Sequence, residues 1–285
     1  MSSSPDQRIK RVCDYIDRHL DQRLSLDVLS QVACCSKYHF HRVFKASVGV
    51  SAVQYVQLAR LRRASFRLAF ETQFSVLDIA LEAKFDSHEA FSRAFNRQFA
   101  VTPSQFRRSP DWLSWHSVFT FQLPNAGEHH MDVSLVDMPP QQLAVIEHYG
   151  DPKRVLETAA KFIEWRKSTG LSPLDNSKTF GIPYSDPAET PEEEFRFDIC
   201  GTIDGDVPDN AFGVKSGWLP GGRFAVARHF GSHDNIGDTV YALYRQWLPE
   251  SGEQLRDFPC FFHYHNFVHQ VNECDLITDV YLPLQ

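Results

Sequence analysis

The feature that most constrains the fold is an internal repeat near the start of the chain. A shift of 51 residues aligns residues 26–28 (LDV) with 77–79 (LDI), and it aligns the serine, phenylalanine and arginine pattern of residues 36–44 with that of residues 87–95. Apolar residues in both copies keep the spacing of the buried side of a helix. Two copies of one helix–turn–helix unit, joined by a longer helix, explain this pattern.

Short polar residues mark where the predicted helices begin. Each stands before a run with helical periodicity, where its side-chain oxygen can accept a hydrogen bond from a backbone N–H that the first turn leaves unpaired. The candidate N-caps are Ser25, Ser36, Ser51, Ser75, Asp86 or Ser87, and Thr102. They predict helices over about 26–33, 36–47, 51–70 and 103–108, with two more that begin near 75 and 87. Residues 5–108 are therefore predicted to be all helical.

Charge is distributed unevenly between the two halves of the chain. Residues 1–112 contain 17 lysines and arginines against 11 acids, whereas residues 113–285 contain 12 against 25, which together give the net charge of −7. A net-basic segment is the electrostatic pattern of a surface that faces a polyanion. A chance division of charge is the alternative that composition alone leaves open.

A polar face lies opposite the phenylalanines on the second helix of each copy. In the major groove of DNA, arginine can pair with guanine, asparagine with adenine and glutamate with cytosine, while lysine suits phosphate. For one helix alone, a solvated face is the simpler interpretation, but two copies inside a net-basic segment favour DNA. The candidate DNA-binding residues are Lys37, Tyr38, His41, Arg42, Lys45, His88, Glu89, Ser92, Arg93 and Asn96.

A second repeat follows in the rest of the chain. Residues 143–150 (LAVIEHYG) match residues 224–231 (FAVARHFG) at a shift of 81, and a helical stretch with a tryptophan, Trp165 or Trp247, follows each copy. A duplicated β–α–β unit predicts an α+β domain with a pseudo-two-fold axis. A crevice on such an axis is a natural ligand site. Residues 109–131, with Trp112, Trp115 and Phe121, are predicted to be a partly packed linker.

The N-terminal motifs resemble the AraC/XylS family of bacterial transcription regulators, and within it the MarA/SoxS/Rob group. The stretches that carry the resemblance are VLDIALEAKFDSHEAFSRAFNRQFAVTPSQFRRSP and SKYHFHRVFK, and the likeness covers about residues 8–112. It implies two recognition helices held apart by a rigid linker helix. It also implies that Tyr38, His41 and Arg42 make the strongest contacts of the first helix, and Ser92 and Arg93 those of the second.

This sequence departs from the family at three turns. Glycine is usual at positions 34, 84 and 100, whereas this chain has Cys34, Lys84 and Ala100. A left-handed backbone costs a residue with a side chain about 1 kcal/mol or more. Lys84, which precedes Phe85 in the second turn, therefore predicts either a left-handed lysine or a turn that needs no positive φ.

The C-terminal half resembles the GyrI-like effector-binding domain. The stretches that carry this resemblance are FGIPYSDPAETPEEEFRFDIC, LPGGRFAVARHFGSH, PCFFHYH and DLITDVYLPL. Asp279 and Tyr281 occupy the place of a glutamate-x-tyrosine motif, and residues two apart share one face of a strand. A buried carboxylate beside aromatic rings suits a cationic ligand, although a surface aspartate and a core tyrosine are the alternative. The candidate ligand-binding residues are Tyr184, Phe197, Tyr264, Asp279 and Tyr281.

Three histidines near the C-terminus form an HxHxxxH pattern at His263, His265 and His269, close to Cys260. Alternate histidines on a strand can share a metal. The spacing is not specific for zinc, and the GyrI-like resemblance implies no metal. Packing or solvation is the favoured interpretation, so we predict no metal and no cofactor.

These patterns predict a multidomain protein, with an all-α N-terminal domain that binds DNA and an α+β C-terminal domain that has a duplicated, SH2-motif-like pseudo-two-fold repeat. The predicted DNA-binding domain spans 1–110, with helix–turn–helix units at about 8–50 and 75–108 and a linker helix at about 51–70. A linker over 111–131 and an effector-binding domain over 132–285 follow.

The predicted function is that of a DNA-binding transcription regulator, an activator, controlled by a small amphipathic molecule that is cationic or aromatic. Double-stranded promoter DNA and RNA polymerase are the predicted partners. The alternatives are a small-molecule hydrolase or a sequestering protein fused to a DNA-binding domain, but no strong arrangement of nucleophile and base is visible, so we predict no enzyme.

The sequence also predicts a cytoplasmic location. No run of about 18 apolar residues is present, and the start MSSSPDQRIKRV has no apolar secretory core. The six cysteines form no CxxC pair, so we expect reduced thiols.

Overall fold

The computed structural model describes residues 5–119 and 131–285, which form two compact units. The helical unit contains residues 5–119 and the short segment 268–275. The sheet unit contains residues 131–267 and 276–285. No helix in these described ranges combines the length and the apolar character needed to cross a membrane.

Eight helices build the helical unit. Their bounds are α1 Pro5–Arg18, α2 Leu26–Val32, α3 Lys37–Val48, α4 Ala52–Phe70, α5 Val76–Glu82, α6 His88–Phe99, α7 Pro103–Arg108 and α8 Trp112–Val118. The predicted caps are confirmed at Ser25, Ser36, Ser51, Ser75, Ser87 and Thr102, each of which accepts a backbone hydrogen bond. Ser87 rather than Asp86 is the N-cap of α6.

The internal repeat is confirmed, but a uniform shift of 51 is wrong for its first half. Helices α2 and α5 begin after Ser25 and Ser75, and so correspond at a shift of 50. Helices α3 and α6 begin after Ser36 and Ser87, at a shift of 51. The second turn holds one residue more than the first, and this extra residue explains the change of register.

The two turns share a backbone conformation despite their different lengths. Cys34 and Lys84 have φ values of 53° and 62°, and each N–H donates to the carbonyl oxygen three residues earlier. Ala100, after α6, is also left-handed, with φ 57°, as is Gly49 at the same place after α3. The structure thus answers the question that Lys84 raised: the lysine is left-handed.

Each helix–turn–helix unit has its own apolar core. The first is built by α1 to α3 and the start of α4, around Phe40 and Phe44, which are fully buried. In the second, Phe91, Phe95 and Phe99 form a row of ring contacts, with centroids 5.5 Å and 4.5 Å apart. The four-residue spacing of these phenylalanines therefore marks the buried side of α6, as predicted.

Part of the predicted linker is packed in the helical unit. Trp112 and Trp115 lie on α8 and are buried, and their rings contact Phe66 at 5.9 Å and 5.1 Å. Phe121 lies outside the described residues. The domain boundaries drawn from the sequence stay predictions.

The sheet unit has eight strands and three helices. The strands are β1 Val133–Met138, β2 Gln141–Tyr149, β3 Thr179–Pro183, β4 Arg196–Thr202, β5 Lys215–Leu219, β6 Gly222–Phe230, β7 Phe261–Tyr264 and β8 Ile277–Pro283. The helices are α9 Val155–Thr169, α10 Ile236–Ala242 and α11 Leu248–Ser251, the last two joined by a π-helical turn over Leu243–Trp247.

The strand order shows the predicted duplication. It runs β1-β6-β8-β7-β3-β4-β2-β5, with every pair antiparallel. A shift of 81 exchanges β2 with β6, β3 with β7 and β4 with β8, and it maps this order onto its own reverse. The outer strands β1 and β5 are exchanged between the repeats. Strand β1, which precedes β2 in the chain, pairs with β6, and β5, which precedes β6, pairs with β2. The likeness of each half to an SH2 motif stays a prediction.

The two faces of the sheet contribute to different apolar clusters. On one face, Phe162 and Trp165 of α9 pack against β2 and β4, and Leu243 packs against β6 and β8. On the other face, strand residues form a separate cluster around Phe180, Phe224 and Phe261. We call this second side the strand face. All six cysteines of the chain are free thiols.

Candidate functional site

The polar face of α3 is open to solvent. Its five candidates, Lys37, Tyr38, His41, Arg42 and Lys45, are all exposed, and Tyr38 keeps 66% of its surface. The guanidinium of Arg42 lies 4.5 Å from the ring centroid of Tyr38, so a cation–π contact links these two side chains. Lys37 forms an ion pair with Asp27 of α2. The face therefore offers an aromatic ring and three cations on one helix side.

The polar face of α6 is similar in position but different in chemistry. His88, Glu89, Arg93 and Asn96 are exposed, whereas Ser92 is half-buried. The pKa of Glu89 is lowered, chiefly by a hydrogen bond from its own backbone N–H and then by one from the Ser87 side chain. The negative charge of Glu89 is thus stabilised at the N-terminal end of α6, where backbone N–H groups point outward.

The ligand candidates divide between the two faces of the sheet. Asp279 and Tyr281 lie together on the strand face, where the ring of Tyr281 stacks on Phe261 at 4.7 Å. Phe197 and Tyr264 lie on the opposite, helix-covered face. There, both side chains occupy the space that a Cβ on Gly181 would need. One pocket lined by all the candidates is therefore not formed.

Tyr184 shares the strand face but not the neighbourhood of Asp279. It follows β3 directly, and its ring lies 4.1 Å from the guanidinium of Arg196. The other end of β3 pairs with β7 in the register Phe180↔His263, next to Asp279. Burial raises the pKa of Tyr184. This tyrosine belongs to the Arg196 end of the face.

Asp279 is buried and already paired, which the sequence did not reveal. Arg228 Nε and Nη2 donate to its two carboxylate oxygens at 2.7 Å and 2.9 Å. His265 Nε2 lies 2.7 Å from the oxygen Oδ2. Burial raises the pKa of this carboxyl, but the hydrogen bonds from Arg228 and His265 outweigh burial, so its pKa lies below the usual value.

The matched aspartate of the other repeat also pairs with an arginine, but with one from its own strand β4 rather than from the neighbouring strand. Asp198, which a shift of 81 places at Asp279, receives hydrogen bonds from Arg196 Nε and Nη2 at 3.0 Å and 2.8 Å. Arg196 also bonds Glu147, which in turn pairs with Lys215. Each end of the strand face thus holds a buried aspartate neutralised by an arginine. The 81-residue repeat aligns the two aspartates but not their arginines, since it places Arg228 at Glu147 and Arg196 at Ile277.

The histidine pattern is divided by the fold. His263 and His265 lie beside Asp279, with their ring centroids 4.3 Å apart. Burial, followed by the nearby charges of His265 and Lys178, lowers the pKa of His263 to about 4. His269 lies in the helical unit, where its ring contacts Phe70 at 5.8 Å. The HxHxxxH pattern therefore does not form a three-histidine site.

Comparison with known proteins identifies the family. Residues 131–285, more than half of the chain, match the model of the GyrI-like small molecule binding domain. The chain belongs to the GyrI-like family. Residues 29–109 match a helix-turn-helix domain model, which covers α3 and α6. The predicted combination of a helix–turn–helix domain with a GyrI-like domain is confirmed.

Similar proteins include a probable transcriptional regulator and an origin-binding protein. The probable transcriptional regulator YgiV of Escherichia coli (strain K12) is 50% identical over 154 residues, which are 54% of this chain and 96% of that protein. The Right origin-binding protein of the same organism is 29% identical over 252 residues, or 85% of this chain and 84% of that one. The Transposon Tn10 TetD protein of Escherichia coli is 40% identical over 104 residues, which cover 36% and 75% of the two chains.

Proposed function

We propose that this protein is a transcription regulator that binds double-stranded promoter DNA through both α3 and α6. The observation that carries the proposal is the repeated geometry: two capped helices present polar faces from two equivalent turns. Arg42 and Arg93 occupy matched, exposed positions on these helices. One chain with two recognition helices can contact two successive major-groove segments, as a dimer of single units does.

The similar proteins support this proposal, since one is named as a probable transcriptional regulator and another as an origin-binding protein. The family model is described as binding small molecules. We therefore propose that this chain is an effector-controlled regulator rather than an enzyme. In this proposal the regulator acts in the cytoplasm as an activator and contacts RNA polymerase. The cytoplasm also keeps thiols such as the free cysteines of this chain reduced.

Selection from random duplex DNA, followed by mobility shifts over a salt series, tests DNA binding. We expect an enriched sequence whose affinity falls steeply with salt, because neutralised phosphates release counterions. Arg42→Ala should weaken the enriched site by about 1–3 kcal/mol. The matched control is Lys161→Ala, an exposed lysine of the sheet unit. No enrichment and no shift at low salt would contradict the proposal.

We propose the strand face as the effector site. Its centre is apolar and aromatic: Phe180 and Phe261 are fully buried in contact with each other, and Tyr281, which stacks on Phe261, is partly exposed. Polar side chains flank it at both ends. The paired state of Asp279 changes the expected ligand, because a cation would have to compete with Arg228 for the carboxylate. An amphipathic aromatic molecule with a neutral or anionic group suits this surface as well as a cation does.

A thermal-shift screen of cationic, neutral and anionic amphipaths tests the effector site. A compound that binds there should stabilise the full chain, and Tyr281→Ala should weaken its binding without changing the DNA affinity of the free protein. Val53→Ala, an exposed position in the helical unit, is the control. A hit whose affinity is unchanged by Tyr281→Ala would place the effector elsewhere.

A further inference from the structure

The strand face brings three metal-binding side chains together at one end. His263, His265 and Asp279 each offer one ligand atom, and these atoms all lie within 4.8 Å of one another. His263 and Asp279 are directly opposite on the paired strands β7 and β8. His265 is two residues after His263, so it projects to the same face. Two imidazoles and one carboxylate are a common ligand set of an open zinc site.

The other repeat shows that the histidines are not needed for the ion pair. A shift of 81 places His263 at Ile182, His265 at Tyr184 and Asp279 at Asp198. Asp198 is as well buried as Asp279 and is satisfied by Arg196 alone at its two oxygens, with no imidazole beside it. The second repeat therefore has two additional imidazoles beside its aspartate, where the first repeat has Ile182 and Tyr184.

We propose that His263, His265 and Asp279 bind one Zn²⁺ ion. Arg228 then acts as a positioning residue, because its hydrogen bonds fix the plane of the Asp279 carboxylate, as hydrogen-bonding partners of metal ligands commonly do. His265 Nε2, which now lies 2.7 Å from Asp279 Oδ2, would turn toward the ion. The rings of His263 and His265 must also approach, since zinc–nitrogen bonds measure about 2.0 Å.

Three protein ligands leave a fourth position of tetrahedral zinc open. This position faces the same side of the sheet as Tyr281 and Phe261. It suits water or an oxygen, nitrogen or sulfur donor of a bound molecule. Zinc binding by these three side chains requires neither DNA nor an effector.

Titration of the untagged, chelator-treated full chain with Zn²⁺ in a calorimeter tests the site, and the visible absorption of Co²⁺ reports its geometry. We expect one ion per chain and a tetrahedral Co²⁺ spectrum. His265→Ala and Asp279→Asn should each weaken Zn²⁺ binding about tenfold or more. His265 is an exposed residue, so its variant is the safer one for folding, which circular dichroism checks.

Two controls separate this site from adventitious binding by the thirteen histidines of the chain. His269→Ala removes the third histidine of the HxHxxxH pattern, and Asp198→Asn changes the matched carboxylate of the other repeat. Both should leave the zinc affinity unchanged. The proposal is overturned if the full chain binds no zinc, or if His265→Ala and Asp279→Asn bind it as tightly as the unchanged protein.

Discussion

The two helix–turn–helix copies have the same fold but present different surfaces. Helix α3 carries Lys37, Arg42 and Lys45 and no acid, whereas α6 carries Arg93 and Arg97 together with Glu89. Their buried sides are alike, with phenylalanines four residues apart in both. The two helices thus have similar buried sides and different exposed faces. We infer that α3 supplies more of the DNA affinity than α6, because it carries more cations and no acid.

The largest effect is expected from the shared core. Phe44→Ala and Phe95→Ala should each lower the free energy of unfolding by about 3–5 kcal/mol, because both side chains are fully buried. Urea unfolding measures the change. Val53→Ala, at a position that keeps 60% of its surface, should change stability by less than about 0.5 kcal/mol. A small effect at only one phenylalanine would show that the two cores are not equivalent.

The next effect compares the two arginines. Arg42→Ala should weaken binding to the selected site by about 1–3 kcal/mol, and Arg93→Ala should cost less, because fewer cations surround it on α6. Mobility-shift titrations of both variants on one duplex give the difference. If Arg93→Ala cost more than Arg42→Ala, the inferred ranking of the helices would be wrong.

The left-handed turns give a smaller effect of opposite sign. Glycine in place of Cys34 or Lys84 should raise the free energy of unfolding by up to about 1 kcal/mol, since glycine tolerates positive φ. Ala33→Gly and Ala83→Gly are matched controls, because both residues have φ −73°. These control variants should lose stability, as glycine gains freedom in the unfolded chain. A loss of stability in Lys84→Gly would contradict the account of the turn.

The smallest effect concerns salt. Lys45 is exposed on α3, and if it meets a phosphate, Lys45→Ala should lower the slope of log affinity against log salt by about one. Asn96→Ala on α6 is the matched control. The amide of Asn96 is uncharged, so this variant should leave the slope of log affinity against log salt unchanged. Equal slopes for Lys45→Ala and the unchanged protein would remove Lys45 from the phosphate contacts.

Local patterns predicted the helical unit well. The caps at Ser25, Ser51 and Thr102 each act through a residue three positions further on, so neighbouring sequence determined them. The extra residue in the second turn was missed, because an LD motif happens to align at the wrong shift. A one-residue insertion lengthens a turn without changing the periodicity of the helices around it, so helix periodicity could not reveal it.

The sheet unit was less predictable at the level of its site. Alternation along β8 placed Asp279 and Tyr281 on one face, as expected. The ion-pair partner of Asp279 could not be predicted from alternation along β8. Arg228 is 51 residues away in the sequence and contacts Asp279 only because β6 pairs with β8. Likewise, Phe197 and Tyr264 pointed to the opposite face because strand register, not residue type, decides the side.

Footprinting of one selected duplex tests the central claim, that both recognition helices contact DNA, most directly. We predict two protected major-groove segments about one helical turn apart. Arg42→Ala should weaken protection in one segment and Arg93→Ala in the other, and Lys161→Ala should leave both intact. A single protected segment, or the same segment weakened by both arginine variants, would contradict the claim.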